Sequence, residues 1–383
     1  MIRSQLRKIN KGEEIFTFQN IYNAYRACRK TKTNTINALK FEQNLLENLW
    51  DLCDDLKHRR YKIGTSICFL TSSPKLREVF AADFRDRVVH HVLVNALESF
   101  YERRFIAHIY NNRKGKGIHQ AVKKAQAYMR ATHNGYYLQL DIKGFFYNLD
   151  KNILFMKVFN DLKKVEKPLA YEKEILYLAN KIIYHDPTRN FVFKGDKEKL
   201  KLLPPHKTLF KIVKSKGLPI GNLTSQFFAN VYMNDFDNFV KRKLKVKHYL
   251  RYVDDFVLFS TSKEALESWY KEIEAYLKEE LKLELRADSR LKSHADGLDF
   301  LGYIIREDYM LTRQRVVNNY KTKKAQYLDA YEAQKGKMSL EEIKQFLSVQ
   351  ASFVGHVKHA NSFNLMNKVG VLDENNPFDY DRA

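Results

Sequence analysis

Two adjacent carboxylates, Asp254 and Asp255, interrupt a strongly apolar run between Tyr249 and Phe259. The flanking residues are mostly aromatic or β-branched, so the run predicts a strand, a turn and a second strand. Aspartate is poor in strands and costly to bury without a partner. A bound divalent cation explains such a pair, and a solvated turn also explains it, because aspartate is common in turns.

The overall composition favours a nucleic-acid partner. The 383 residues include 67 Lys and Arg but only 45 Asp and Glu, a net charge of +22, and 13% are aromatic. Excess positive charge with many aromatic rings suits a protein that grips a phosphate backbone and stacks on bases. We expect such binding to weaken steeply with salt. A merely basic protein remains the other interpretation.

The three cysteines are well separated and form no CxxC pair, which argues against a zinc site or a disulfide framework. The first residues contain no apolar signal region, and no apolar run approaches the ~20 residues of a membrane span. We therefore expect a cytoplasmic protein without a membrane partner. The length allows two or three subdomains.

The periodicity of the chain predicts an α+β fold. Helical patterns cover residues 14–60, 83–99, 117–132, 151–184, 224–246, 263–281 and 316–369. Strand-like patterns cover residues 61–82, 136–141, both sides of Asp254-Asp255, and 300–305, with a hairpin through 307–308. Residues 185–216 are charged and proline-containing, so we predict an irregular insertion there. No βαβ repeat is visible, which argues against a doubly wound sheet.

A second carboxylate site precedes the first. Asp141 ends the short strand 136–140. Nucleotidyl transfer assisted by two metal ions needs carboxylates that converge from separate elements. Asp141 and Asp254 can converge if their strands are neighbours, and Asp141 can alternatively serve as a structural cap.

A set of motifs in a fixed order gives the chain its resemblance to reverse transcriptases. Residues 141–146 (DIKGFF), 217–226 (GLPIGNLTSQ) and 252–255 (YVDD) resemble their motifs A, B and C. Residues 300–303 (FLGY) resemble the primer-grip hairpin, and residues 74–77 (PKLR) and 84–91 (FRDRVVHH) resemble the fingers. Residues 113–117 (RKGKG) match a basic fingers motif of bacterial members. The similarity extends over roughly residues 20–370.

The resemblance implies a right-hand polymerase fold and RNA-templated DNA synthesis. It assigns a helical N-terminal extension to residues 1–60, fingers to 61–135, a palm to 136–305 with the insertion at about 185–216, and a helical thumb and tail to 306–383. No stretch is left for an RNase H or endonuclease domain, so we expect template release and integration to come from elsewhere.

The resemblance also implies the site residues. The implied catalytic residues and metal ligands are Asp141, Asp254 and Asp255, joined by the Ile142 carbonyl, holding two Mg²⁺ or Mn²⁺ ions. The implied nucleotide contacts are Lys75, Arg77, Phe146, Ile220 and Gly221. The implied nucleic-acid contacts are Arg113, Lys114, Lys116, Gln226, Phe300, Gly302, Tyr303, Tyr320 and Lys323. For the basic residues, a solvated surface is the alternative.

Two positions bear on substrate choice. Phe146 stands where the family places a steric gate against the ribose 2′-hydroxyl, with Phe145 expected in the core because strand neighbours alternate faces. Ile220 replaces the glutamine of many retroviral enzymes and offers no amide hydrogen bond, which should loosen discrimination. Core packing is the other interpretation for both. Motif D is weak, and Arg290 and Lys292 are equal candidates for its general acid.

The sequences of motif B and of residues 352–356 (SFVGH) are most similar to those of reverse transcriptases from diversity-generating retroelements. In those enzymes a replaced motif B glutamine accompanies error-prone copying at adenines. This branch implies a template RNA, its cDNA, dNTPs, a structured noncoding RNA and a small accessory protein as partners. A defence reverse transcriptase that copies a dedicated RNA or uses a protein primer, and a catalytically unused RNA-binding maturase or scaffold, are the alternatives.

Overall fold

The computed structural model describes residues 14–30, 32, 35–72, 75–164, 169–335 and 337–371. Pro74 of the predicted fingers motif, and the ends of the predicted N-terminal extension and C-terminal tail, lie outside the described residues. The chain forms two compact units. The first comprises Met1–Asn112, Asp141–Lys245 and Lys271–Ala287; the second comprises Arg113–Leu140, Val246–Tyr270 and Asp288–Ala383.

The described α-helices are α1 (Phe18–Arg29), α2 (Ile36–Gln43), α3 (Leu45–Lys57), α4 (Phe84–Glu102), α5 (Ile118–Ala131), α6 (Phe145–Asn148), α7 (Lys151–Leu162), α8 (Leu169–Ile183), α9 (Leu223–Asn238), α10 (Lys263–Glu280), α11 (Gln314–Ala333), α12 (Leu340–Val357) and α13 (Phe363–Lys368). The strands are β1 (Ser66–Thr71), β2 (Arg77–Ala81), β3 (Tyr136–Asp141), β4 (Phe191–Lys194), β5 (His248–Tyr252), β6 (Asp255–Ser260), β7 (Arg290–Ser293), β8 (Leu298–Phe300), β9 (Tyr303–Ile305) and β10 (Met310–Thr312). None of the helices in the described part of the chain could span a membrane.

Several predicted helices are divided. The helical pattern of residues 14–60 forms α1, α2 and α3, because the backbone leaves the helical region at Asn44 (φ −125°, ψ 52°) and near Thr35. The pattern of residues 316–369 likewise forms α11, α12 and α13. Ser339 starts α12 with a capping box, in which its hydroxyl and the Glu342 carboxylate satisfy each other's backbone amides.

The insertion predicted to be irregular contributes a strand to the first unit. In the sheet β2-β1-β4, β1 pairs antiparallel with β2 and parallel with β4. The ring of Phe191 packs against Phe80 and Phe210, with centroids 5.9 and 5.3 Å apart. The prediction of an irregular segment was wrong over 191–194, because its prolines and charges flank an apolar stretch long enough to pair. The rest of the insertion consists largely of short 3₁₀ turns.

A buried carboxylate fixes the insertion to β2. Glu78 is 2% exposed. It accepts hydrogen bonds from the Thr208 hydroxyl at 2.6 Å and from the Leu209 amide at 2.9 Å. Burial raises the pKa of the Glu78 carboxyl, and these two hydrogen bonds oppose the rise. The insertion is therefore held by side-chain hydrogen bonds as well as by strand pairing.

The second unit contains a four-stranded sheet of order β5-β6-β3-β7. The strand predicted at 136–141 and the two predicted around Asp254-Asp255 are all present, and they lie in this one sheet. β5 and β6 form an antiparallel hairpin, and β3 pairs antiparallel with β7. Most side chains that the sheet buries are aliphatic or aromatic, and Tyr249, Leu250 and Val257 are fully buried.

The second sheet of this unit, β10-β9-β8, precedes the C-terminal helices. Residues 300–305, predicted as one strand, belong to two strands, because Leu301 (φ 51°) and Gly302 (φ 94°) turn the chain between β8 and β9. The predicted hairpin through 307–308 is confirmed: Met310 pairs with Ile305.

We expect Glu78→Ala to lower the free energy of unfolding by about 2 kcal/mol, because it leaves the Thr208 hydroxyl and the Leu209 amide without their acceptor. Glu78→Gln keeps an acceptor but removes the titrating group. The folded pKa lies above the ordinary value of 4.5, so wild type loses stability as pH rises through the folded value. Urea denaturation should show the stability of wild type falling relative to Glu78→Gln above pH 4.5.

Glu198→Gln serves as the control, because it removes an exposed carboxylate from the insertion that Glu78 holds. Exposed ion pairs contribute little, so this variant should change stability by less than about 1 kcal/mol. A Glu78→Gln variant with the same pH profile as wild type would contradict the assigned role of burial.

Candidate active site

The acidic pair lies at the tip of the β5–β6 hairpin. Tyr252 and Asp255 are Cα partners at the end of the ladder, so Val253 and Asp254 form a two-residue turn. Val253 has φ +59°. A β-branched residue with positive φ is uncommon, and such a conformation costs about 1–3 kcal/mol. The surrounding structure must therefore impose this turn.

A buried arginine supports the turn from within its own strand. Arg251 is 0% exposed, and its Nη1 donates to the Val253 carbonyl at 2.8 Å. A hydrogen bond from a charged group contributes more than a neutral one, about 1.5–3 kcal/mol. This bond holds the carbonyl of the strained residue, and hence the direction of the backbone that leads into Asp254.

The third predicted carboxylate is held by a different partner segment. The Asp141 carbonyl accepts from the Arg286 amide at 2.9 Å, and the next residue, Ile142, forms an isolated antiparallel bridge with Leu285. The Lys143 amide then donates to the Glu284 carbonyl at 2.8 Å. The chain around Asp141 is thus fixed by pairing with residues 284–286. The Ile142 side chain is 1% exposed.

Arg286 is a site neighbour that sequence reasoning missed. Its Nη1 lies 3.3 Å from Asp141 Oδ2, and both side chains are about two-fifths exposed, at 40% and 38%. The weak motif D similarity covered this run and pointed to Arg290 and Lys292. These lie on β7, where their Cα partners are Gln139 and Tyr137. The cation beside Asp141 is instead Arg286, which directly follows the bridge between Ile142 and Leu285. The spacing of residues in the sequence does not identify this position.

The chemistry of the three carboxylates fits a hard divalent cation. Asp141, Asp254 and Asp255 are all partly exposed and offer oxygen ligands, which Mg²⁺ and Mn²⁺ prefer. Across the described residues, no group of three or more His, Cys, Asp or Glu side chains is arranged to hold an ion. Metal ligation by these residues and by the Ile142 carbonyl therefore stays a prediction.

Motifs A and B are joined by backbone hydrogen bonds inside the first unit. The Leu218 amide donates to the Phe146 carbonyl at 2.8 Å, and the Gly217 amide donates to the Leu149 carbonyl at 2.9 Å. Phe145 is buried as expected, while Phe146 is only partly buried. Both lie on the short helix α6, so helical turn geometry and not strand alternation separates their environments.

Motif B is also fixed to β2. The Phe80 amide donates to the Ile220 carbonyl at 2.9 Å. Gly221 has φ +118°, and a Cβ there would lie 2.7 Å from Val79 Cγ1, so only glycine fits. Ile220 is partly buried, and Gln226 is exposed on α9. Their predicted contacts with nucleotide and template are compatible with this exposure.

The predicted phosphate-binding residues lie at or near the surface. Lys75 and Arg77 are exposed at the start of β2. Lys114 is exposed, and Arg113 and Lys116 are partly exposed, in a turn closed by a hydrogen bond from the Lys116 amide to the Arg113 carbonyl. Gly115 has φ +71°, which permits this turn.

The predicted primer-grip hairpin is bound to the C-terminal helices. Phe300 and Tyr303 are 0% exposed. The Tyr303 ring stacks on His356 of α12, with centroids 4.3 Å apart, and its hydroxyl donates to the His356 carbonyl. Gly302 leaves room for the same histidine, whose Cε1 would lie 3.0 Å from a Cβ. Both aromatic side chains are therefore core residues, whereas Leu301 and Gly302 in the turn between them are partly exposed.

The two predicted nucleic-acid contacts of the thumb, Tyr320 and Lys323, differ in their exposure to solvent. Tyr320 is 3% exposed and stacks on Phe353, with centroids 4.0 Å apart. In this structure its ring packs in the core and is not available to stack on a base. Lys323, on the same helix α11, is exposed and suits a phosphate contact.

Comparison with known proteins identifies the family. Residues 72–305, more than half of the chain, match the family model described as reverse transcriptase (RNA-dependent DNA polymerase). The protein YkfC of Escherichia coli K12 is 22% identical over 363 residues, which cover 85% of this chain and 88% of that protein.

Among solved structures, the telomerase from Candida albicans in complex with a TWJ fragment of telomeric RNA is similar at 10% sequence identity and a TM-score of 0.45. The match covers 80% of this chain and 55% of the telomerase chain. The family match covers the segments that contain Asp141, motif B and the Asp254 turn. The chain belongs to the reverse transcriptase family, with the right-hand polymerase fold and the RNA-directed DNA polymerase activity of that family.

Proposed function

We propose that the protein extends a primer with dNTPs on an RNA template by two-ion nucleotidyl transfer, with Mg²⁺ held by Asp141, Asp254 and Asp255. The observation that carries the proposal is the strained turn at Val253, which the buried Arg251 holds and which presents Asp254 at a hairpin tip. Backbone strain persists where the surrounding structure imposes it, and it is concentrated at functional sites. A solvated turn gives no reason for a valine at positive φ.

The remaining residues of the site fit the same chemistry. When bound, divalent ions would activate the primer 3′-hydroxyl and neutralise charge on the triphosphate. Phe146 would exclude the ribose 2′-hydroxyl from a position fixed by the motif B hydrogen bonds. Arg77 and Lys75 would contact the triphosphate, Arg77 with the bidentate geometry that a guanidinium offers.

Asp254→Asn should lower the kcat for labelled dNTP incorporation on an RNA template by about a thousandfold, because one ligand charge is lost while the size of the side chain is kept. Asp308→Asn is the matched control: it changes an exposed aspartate in the turn between β9 and β10. The control should keep wild-type activity. Incorporation by Asp254→Asn at the wild-type rate would contradict the catalytic role of Asp254, and a lack of incorporation by wild type would favour the scaffold alternative.

Arg286→Ala should tighten Mn²⁺ binding by the free enzyme, because the guanidinium competes with a metal ion for the Asp141 carboxylate. At low ionic strength we expect the half-saturating Mn²⁺ concentration, measured by electron paramagnetic resonance, to fall by about threefold.

Lys143→Ala is the control for this experiment. It removes a cation from the same two paired segments, where Lys143 Nζ lies 3.3 Å from Glu284 Oε2. Equal effects of the two variants would indicate a general charge effect and would contradict a specific role of Arg286 at Asp141.

We further propose that the setting is a diversity-generating retroelement, in which the enzyme copies a template repeat with errors, assisted by a structured noncoding RNA and a small accessory protein. The support is the sequence of motif B and its apolar residue Ile220. Ile220 is partly exposed and precedes Gly221, a position that only glycine fits. An isoleucine offers shape but no hydrogen bond, so discrimination rests on packing alone.

Ile220→Gln should lower the misincorporation frequency at template adenines by about fivefold, the effect of one hydrogen bond of about 1 kcal/mol. Sequencing of the cDNA measures this frequency. Ile212→Gln, which changes another partly buried isoleucine of the first unit outside motif B, is the control. An unchanged error spectrum in Ile220→Gln would refute the fidelity hypothesis.

The genomic neighbourhood separates this role from phage defence. A pair of template and variable repeats beside the gene supports diversification. An isolated noncoding RNA gene within a defence island supports the alternative, in which the enzyme copies a dedicated RNA or uses a protein primer. Both roles share the catalytic chemistry proposed above.

A further inference from the structure

Gln139 lies on β3, two residues before Asp141, and touches the acidic pair. Its Nε2 is 3.3 Å from Asp255 Oδ1 and 3.1 Å from the Asp299 carbonyl. Both neighbours are acceptors, so the nitrogen end of the amide must face them; the oxygen end would find no donor. One amide group therefore joins a carboxylate of the acidic pair to strand β8.

The connection continues beyond β8. The Asp299 carboxylate forms an ion pair with Arg313, the residue that precedes α11. The Arg313 amide donates to the Gly302 carbonyl at 2.9 Å, in the turn of the predicted primer-grip hairpin. Residues Asp255, Gln139, Asp299 and Arg313 thus form a continuous chain of polar contacts within the second unit.

The Gln139 side chain is unfavourable for stability in one respect. Gln139 Oε1 is buried and finds no hydrogen-bond partner among the described residues. A buried unsatisfied acceptor is unfavourable, and an apolar side chain of similar length would avoid it. Stability alone therefore does not account for glutamine at this position, whereas the two bonds of its nitrogen do.

We propose that Gln139 is a positioning residue that fixes the Asp255 carboxylate relative to the β8–β9 hairpin. The inference rests on the proposed function, in which Asp255 contributes to the metal site and the hairpin holds the primer end. A displacement of about 1 Å in a reacting group can cost about a hundredfold in rate, so a fixed distance between these parts has a direct catalytic value.

The test compares Gln139→Met with Gln126→Met in the full-length protein. Gln126 Nε2 donates to the Arg306 carbonyl, just beyond β9, at 3.0 Å, so its replacement removes an equivalent amide-to-backbone bond without touching a carboxylate. Three quantities are measured: Mn²⁺ binding by electron paramagnetic resonance, kcat and KM for dNTP, and the Tm. Gln139→Asn, polar but too short to reach both acceptors, gives the same test if Gln139→Met does not fold.

We expect Gln139→Met to weaken Mn²⁺ binding by about fivefold and to lower kcat by about tenfold, with KM for dNTP within about twofold of wild type. The Tm should fall no further than in Gln126→Met. Wild-type Mn²⁺ binding and kcat in Gln139→Met, or losses equal to those of Gln126→Met, would overturn the proposal while leaving the proposed function intact. If wild type itself neither bound Mn²⁺ nor extended a primer, the proposed function would fail and the role of Gln139 with it.

Discussion

The hydrogen bond from the buried Arg251 guanidinium to the Val253 carbonyl is the interaction on which the arrangement of the acidic pair depends. A valine at positive φ is unfavourable by itself, and a two-residue hairpin relaxes unless both its strands are fixed. Burial supplies that constraint, because a fully buried charge cannot move without losing its partners. Asp254 and Asp255 thus receive their direction from an arginine that is hidden from solvent and contributes no ligand.

The same principle recurs at Asp141 and in motif B, where backbone pairing and not side-chain identity sets the geometry. Residues 141–143 are paired with 284–286, and the carbonyls of Phe146 and Leu149 accept the amides of the motif B loop. Gly221 permits the close approach of that loop to β2. Backbone pairing of this kind does not depend on the side chain at position 220, so the fold accommodates an isoleucine there.

Sequence reasoning succeeded where the signal is local. The strand before Asp141 and the hairpin around the acidic pair follow from alternation of apolar residues, and most of the helices follow from 3–4 spacing. It failed where pairing is non-local. Strand β4 lies among prolines and charges, and its partner β1 is more than a hundred residues away. The turn at Leu301 was missed because a leucine in an apolar run gives no sign of a positive φ.

The sequence by itself determined the family and the order of its motifs, and it predicted the three carboxylates as metal ligands, because their chemistry allows few substitutes. Tertiary structure decided which neighbours act on them. Arg286 reaches Asp141, Gln139 bridges Asp255 and Asp299, and Tyr303 turns inward onto a helix. These contacts join residues far apart in the chain, and each depends on strand register and burial. Residue type and spacing do not encode either quantity, so only the folded chain reveals them.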